Sequence, residues 1–139
     1  MATVTDLRDK VRGWLRREPK IVVPQCILVA DADPDIREST ARMIDALGYQ
    51  AVPLTKLADI LQRLEADDAS FLLLGFHLDD SDGLAALTQV RETAPDLTIV
   101  MLTKDTWDTR MAEALRRGAV AYLARPYGLD DLREILGRR

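Results

Sequence analysis

Three apolar runs in this chain end on residues able to do chemistry. Cys26-Ile27-Leu28-Val29-Ala30 leads into Asp31-Ala32-Asp33-Pro34-Asp35. Thr98-Ile99-Val100-Met101-Leu102 ends at Thr103, and Ala121-Tyr122-Leu123-Ala124 ends at Arg125-Pro126-Tyr127. A fourth run, Phe71-Leu72-Leu73-Leu74, stops at Gly75, where its surroundings lead one to expect a carboxylate, and continues as Phe76-His77-Leu78-Asp79-Asp80-Ser81-Asp82-Gly83. In open parallel sheets, ligands and chemistry gather where strands end at their carboxyl edge. Acids, a hydroxyl and a guanidinium at such edges therefore make a candidate site, built around one residue with no side chain.

The elements that must position these groups follow from periodicity. Short apolar runs suited to strands buried on both faces span Cys26–Ala30, Gln50–Leu54, Phe71–Leu74, Thr98–Leu102 and Ala119–Ala124. Helical spacing covers Asp35–Leu47, Leu57–Leu64, Gly83–Thr93, Thr106–Arg117 and Leu129–Leu136, with Gly48 and Gly118 as stops and Pro95 after the third helix. Strands alternating with helices predict an α/β domain, a parallel sheet covered on both faces.

Residues 1–25 form a separate extension. Val4, Leu7, Val11, Trp14 and Leu15 fall on one face of an amphipathic helix, with Arg8, Arg12 and Arg16 mostly off it. Its apolar face is read as packing on its own domain, on a partner or second copy, or on a membrane surface. The main domain is assigned 26–139.

Charge is unevenly divided. Residues 1–25 hold six Lys/Arg and three acids, a net of +3, which leaves −7 of the total −4 for the rest. An acidic main domain gives no electrostatic footprint for nucleic acid. The single cysteine, Cys26, excludes an internal disulfide and reads as a buried thiol. No apolar stretch approaches the roughly 20 residues of a membrane span, and no signal-peptide core is present, so a cytoplasmic protein is expected.

The order of strand ends, Asp31, Gly75, Thr103 and Arg125-Pro126, resembles the receiver domain of bacterial two-component response regulators over about residues 26–136. The resemblance implies a flavodoxin-like, doubly wound five-stranded sheet in the order 2-1-3-4-5 with five helices. It also implies an aspartate ending the third strand that accepts a phosphoryl group from a histidine kinase. Two acids after the first strand help hold Mg²⁺, while a Ser/Thr and a Lys contact the phosphoryl oxygens. A carboxylate attacks phosphorus while cations neutralise the transferring oxygens, and Mg²⁺ favours several oxygen ligands.

Carried over residue by residue, Asp31 matches the first acid, Ala32 replaces the second and Gly75 stands at the acceptor position. Thr103 matches the switch hydroxyl, Arg125 replaces the lysine, Tyr122 matches the switch aromatic and Asp79 stands where proline is usual. The site thus reads as a degenerate phosphorylation pocket without catalytic residue, metal or cofactor. Arg125 is expected to reach into the space vacated at Gly75 and pair with Asp31. Asp33 and Asp35 are candidate helix caps. Asp79, Asp80 and Asp82 read as a solvated acidic turn, and His77 as a surface residue.

The resemblance also implies a partner surface on the fourth helix, fifth strand and fifth helix, here comprising Trp107, Arg110, Met111, Arg117, Tyr122 and Tyr127. Trp107 is read as a partner contact or as a lid over Thr103. The leading expectation is a non-enzymatic signalling module working through protein partners of a bacterial pathway. Homodimerisation through that surface or through the amino-terminal helix is part of it. A phosphotransfer receiver with a non-standard acceptor, and the regulatory front of a transcriptional regulator, are the alternatives.

Overall fold

The computed structural model describes residues 25–104 and 108–137. Strand and helix alternate as β1 Cys26–Ala30, α1 Pro34–Ala46, β2 Gln50–Leu54, α2 Leu57–Leu64, β3 Ala69–Gly75, α3 Gly83–Thr93, β4 Thr98–Thr103, α4 Arg110–Arg116, β5 Ala121–Ala124 and α5 Leu129–Gly137. The strands form one sheet in the order β2-β1-β3-β4-β5, and every pairing is parallel. This is the expected doubly wound arrangement.

Strand alternation divides the core between the two sheet faces. Leu28, Leu72, Leu74, Ile99 and Met101 face α2, α3 and α4, meeting Ile60, Leu87, Val90 and Ala114. Ile27, Val29, Phe71, Leu73, Val100 and Leu102 face α1 and α5, meeting Ile36, Ile44, Leu132 and Leu136. Runs without polar alternation are required because β1, β3 and β4 are covered on both sides. The edge strand β2 is only partly buried and accommodates Pro53.

Local chemistry fixes where the helices begin. Asp33 caps α1 by accepting from the Asp35 N–H at 2.9 Å, with Pro34 following at the first helical turn. Asp82 caps α3 by accepting from the Leu84 N–H at 2.7 Å. The cap position of α2 is Lys56, whose side chain makes no capping bond. Asp80 supplies the missing acceptor from the loop after β3, taking the N–H groups of Leu57 at 2.7 Å and Ala58 at 3.2 Å. Those bonds hold the Asp80 carboxyl below its ordinary range. Asp80 and Asp82 are therefore helix caps, and the acidic turn over 79–82, exposed as expected, also clasps β3 to α2.

Six elements differ from the sequence reading in their bounds, most by one or two residues, and two of the shifted starts have a local cause. The helix expected over 106–117 starts at Arg110, because the Asp108 carboxylate takes the Arg110 N–H at 3.0 Å and holds the preceding backbone in a turn. The strand expected from Ala119 starts at Ala121, since the Ala119 N–H bonds the Ala114 carbonyl and closes α4. The amino-terminal helix and Trp107 lie outside the described residues. No described helix is long and apolar enough to cross a membrane.

The end of β3 and the start of α3 approach closely. The Gly83 N–H donates to the Phe76 carbonyl at 2.8 Å. A Cβ on Gly83 would lie 2.3 Å from the Gly75 carbonyl oxygen and 2.6 Å from the Phe76 Cα, both backbone atoms that cannot move aside locally. Gly83→Ala is expected to destabilise the fold by about 1–3 kcal/mol, the usual range for overpacking. Urea denaturation of the variant measures this.

Candidate functional site

The carboxyl edges of β1, β3, β4 and β5 open into a cavity of about 510 Å³ whose lining includes Asp31, Phe76, Thr103, Asp108, Arg110 and Arg125. The structure thus brings together Asp31, Ala32, Thr103 and Arg125 around one cavity, with Gly75 ending the central strand beneath it.

Asp31 is 7% exposed. One carboxylate oxygen, Oδ1, accepts from the Asp33 N–H at 2.9 Å. The other, Oδ2, lies 2.2 Å from where a Cβ on Gly75 would stand, and Cγ lies 2.6 Å from it. Any side chain at position 75 in this arrangement would overlap the Asp31 carboxylate. The space above Gly75 is filled by Asp31, not by Arg125 as expected. Burial raises the Asp31 pKa from its ordinary 3.8, opposed by the Asp33 N–H bond and by the charge of Arg125.

The expected Arg125–Asp31 ion pair is also not what forms. Arg125 Nη2 faces Asp33 Oδ2 at 3.6 Å, with the two side chains 36% and 34% exposed. A pair that long and that wet is worth little. Asp33 is nearer solvent than Asp31, so the guanidinium meets it without giving up its own hydration. The Arg125–Pro126 peptide is cis. Arg37 braces the loop below, donating to the Asp31 carbonyl at 2.8 Å.

Asp108 is the pocket acid that the sequence reading missed. Arg110 grips it twice, through Nε to Oδ1 at 3.0 Å and Nη2 to Oδ2 at 2.7 Å. The Thr103 hydroxyl points to Oδ2 at 3.4 Å. The Arg110 bonds are the main reason that the Asp108 pKa falls to about 2. The Arg110 guanidinium also sits 4.2 Å over the Phe76 ring, a cation–π contact. The available signal was the i, i+2 Asp-Thr-Arg spacing before a helix, obscured because the helix was read as starting earlier.

The expected partner surface is regrouped. Met111 is buried in the core, Arg110 belongs to the pocket, and Arg117 is held by Glu113 at 2.9 Å. Tyr127 turns toward α1, where its hydroxyl meets the Thr40 hydroxyl at 2.6 Å, and its burial raises its pKa. Tyr122 of β5 is exposed, and so are Leu115 of α4, Val120 just before β5 and Leu129 of α5. His77 is exposed and borders the cavity, and Cys26 is buried.

Among the described residues no group of three or more acidic, histidine or cysteine side chains is placed to hold a metal ion. Mg²⁺, which the resemblance implies, does not fit the groups present. Asp31 is committed to the Asp33 N–H and packed over Gly75, and the adjacent Ala32 offers no carboxylate.

A five-stranded parallel sheet with this strand order, and a cavity at its carboxyl edge holding an acid, a threonine and a cation, define the receiver class of signalling domain. The chain belongs to the response regulator receiver domain family, which matches residues 27–137. It is 35% identical over 107 residues to the response regulator MprA of Mycobacterium ulcerans, covering 76% of this chain and 46% of that protein. The chain therefore spans about half the length of the curated relatives it matches. Among solved structures, the receiver domain of NtrX from Brucella abortus superposes with a TM-score of 0.75 at 27% identity, covering 81% of this chain and 95% of that one. The receiver domain of the sensor histidine kinase PA1611 from Pseudomonas aeruginosa, with magnesium in its active site cleft, gives 0.75 at 25% identity, covering 83% and 96%.

Two outcomes test this geometry. Gly75→Ala is expected to lower stability by about 1–3 kcal/mol in the wild-type background and by much less in Asp31→Ala, so a double-mutant cycle reads strong coupling. Asp31 holds its proton more tightly when folded, so its ionisation weakens the fold as pH rises above 3.8. Asp31→Asn should match wild type below that pH and gain stability relative to it above, measured as paired thermal melts across pH 3 to 8.

Proposed function

We propose that this chain is a receiver domain of two-component signalling that takes no phosphoryl group at the end of its third strand. It acts, without enzymatic activity of its own, through contacts with protein partners. The observation that carries this reading is the Asp31 carboxylate lying over Gly75. Phosphoryl acceptance needs a nucleophilic oxygen at that point, and glycine has none. An incoming phosphoryl group would also meet a buried acid there, at close range and without a compensating metal.

The remaining pocket groups support the same reading because they are engaged with one another. Arg110 and the Thr103 hydroxyl both address Asp108, so an internal carboxylate sits among the donors that a bound anion would otherwise attract. Asp80 and Asp82 cap helices, which removes them as substitute acceptors. With the phosphoryl input absent, the balance between receiver conformations is set by the sequence or by a partner that binds one of them better. Tyr122, with the exposed Leu115, Val120 and Leu129, is the surface we assign to that partner.

The test is incubation with acetyl phosphate and Mg²⁺ followed by intact mass spectrometry, with a phosphorylatable receiver domain alongside. The expected mass is unchanged. A phosphoryl adduct overturns the reading, and its loss in Asp108→Asn would identify Asp108 as an unorthodox acceptor.

A further inference from the structure

The charges around the carboxyl-edge cavity are not paired evenly. Asp108 is neutralised by Arg110 at 2.7 Å, and Asp33 is faced by Arg125 at 3.6 Å. Asp31 and Lys104 also line the cavity, and among the described residues neither has an ion-pair partner. Asp31 is 7% exposed, and its one hydrogen bond uses Oδ1. Among the described residues nothing donates to Oδ2. A desolvated carboxylate oxygen without a donor is costly. Lys104, by contrast, is exposed. The floor of the cavity therefore holds an unanswered negative charge and its mouth an unanswered positive one.

The sheet sets where these charges stand. Asp31 follows β1, whereas Lys104 and Arg125 follow β4 and β5. The Arg125 N–H donates to the Thr103 carbonyl at 3.0 Å, so the two cations leave adjacent strand ends. β1 and β5 are three strand spacings apart in the sheet order, roughly 14 Å at about 4.8 Å each. The cavity of about 510 Å³ lies across that span and is of a size usual for small-molecule sites. Ile36, Phe76 and Leu102 give it an apolar wall.

A ligand of one sign is disfavoured here. A lone ammonium on Asp31 shares the cavity with Lys104 and Arg125, and a lone carboxylate shares it with three acids. A molecule carrying both charges answers both. We propose that the cavity binds a small amino acid as its zwitterion, the ammonium donating to Asp31 Oδ2, the carboxylate between Lys104 and Arg125, and the side chain against Ile36, Phe76 and Leu102. The inference rests on the reading that no phosphoryl group is taken here. A ligand binding one receiver conformation better supplies the input that phosphorylation does not.

The test is a thermal-shift screen of the full chain against the proteinogenic amino acids, with calorimetry on those that raise the melting temperature. Binding is expected for amino acids with apolar side chains. The decarboxylated amine and the deaminated acid of the best binder should each bind at least about tenfold more weakly, because each leaves one charge unanswered. Asp31→Asn, expected to fold at least as stably as wild type, should weaken the amino acid and the amine but not the acid. Lys104→Ala combined with Arg125→Ala should weaken the amino acid and the acid but not the amine. No binding by any amino acid overturns the proposal, as does equal affinity for the amine or the acid, or binding indifferent to both variants. The acetyl phosphate experiment separates the two readings: an unchanged mass without amino-acid binding removes the ligand alone, and a phosphoryl adduct removes the reading beneath it.

Discussion

The carboxyl edge of this sheet is organised by a steric exchange between two strands. Asp31 ends β1 with its carboxylate in the volume that a side chain on Gly75 would need, and neither residue can be altered without reference to the other. The arrangement is possible because β1 and β3 are adjacent and in register, Ala30 opposite Leu74, so the residues that follow meet over the same point. Among the described residues the acid's hydrogen bond is from one backbone N–H, and burial is the largest influence on its proton affinity. A buried carboxyl in that condition is an expensive group to maintain, and glycine at position 75 is what allows it to stay inside.

Around that centre the two cations are about equally exposed and differ in the bonds they make. Arg110 has a half-buried acid within two residues and an aromatic face beneath it, so it makes short, directed bonds. Arg125 has neither, and it approaches Asp33 only at 3.6 Å. The contrast explains why the two arginines, although both line the cavity, are not equivalent: one is part of the wall, the other remains available at the mouth.

The fold was legible in the sequence almost throughout. Four elements, Cys26–Ala30, Gln50–Leu54, Leu57–Leu64 and Gly83–Thr93, have the bounds that periodicity and breakers indicate, because each is set by local burial and a neighbouring Gly, Pro or cap. The site was legible as a set of residues and not as a set of bonds. Position 75 announced a missing side chain, but which neighbour fills the space depends on side-chain reach in three dimensions, and the nearer Asp31 takes it. Asp108 and Asp80 were missed for a related reason. Asp108 acts with its own close neighbours in a turn whose boundary was misjudged, while Asp80 serves a helix 23 positions earlier in the chain, a distance no periodicity encodes. Tyr127 likewise leaves the expected surface for Thr40, 87 residues away.

That borrowed cap has a consequence for how the chain can be made. When α2 emerges during synthesis, its first turn has two backbone donors and no side chain of its own to receive them. Their acceptor arrives only with the segment following the central strand, so the first half of the molecule is not a self-sufficient unit. A chain ending before Asp80 would carry a frayed first turn in its second helix, and one that includes Asp80 could complete it.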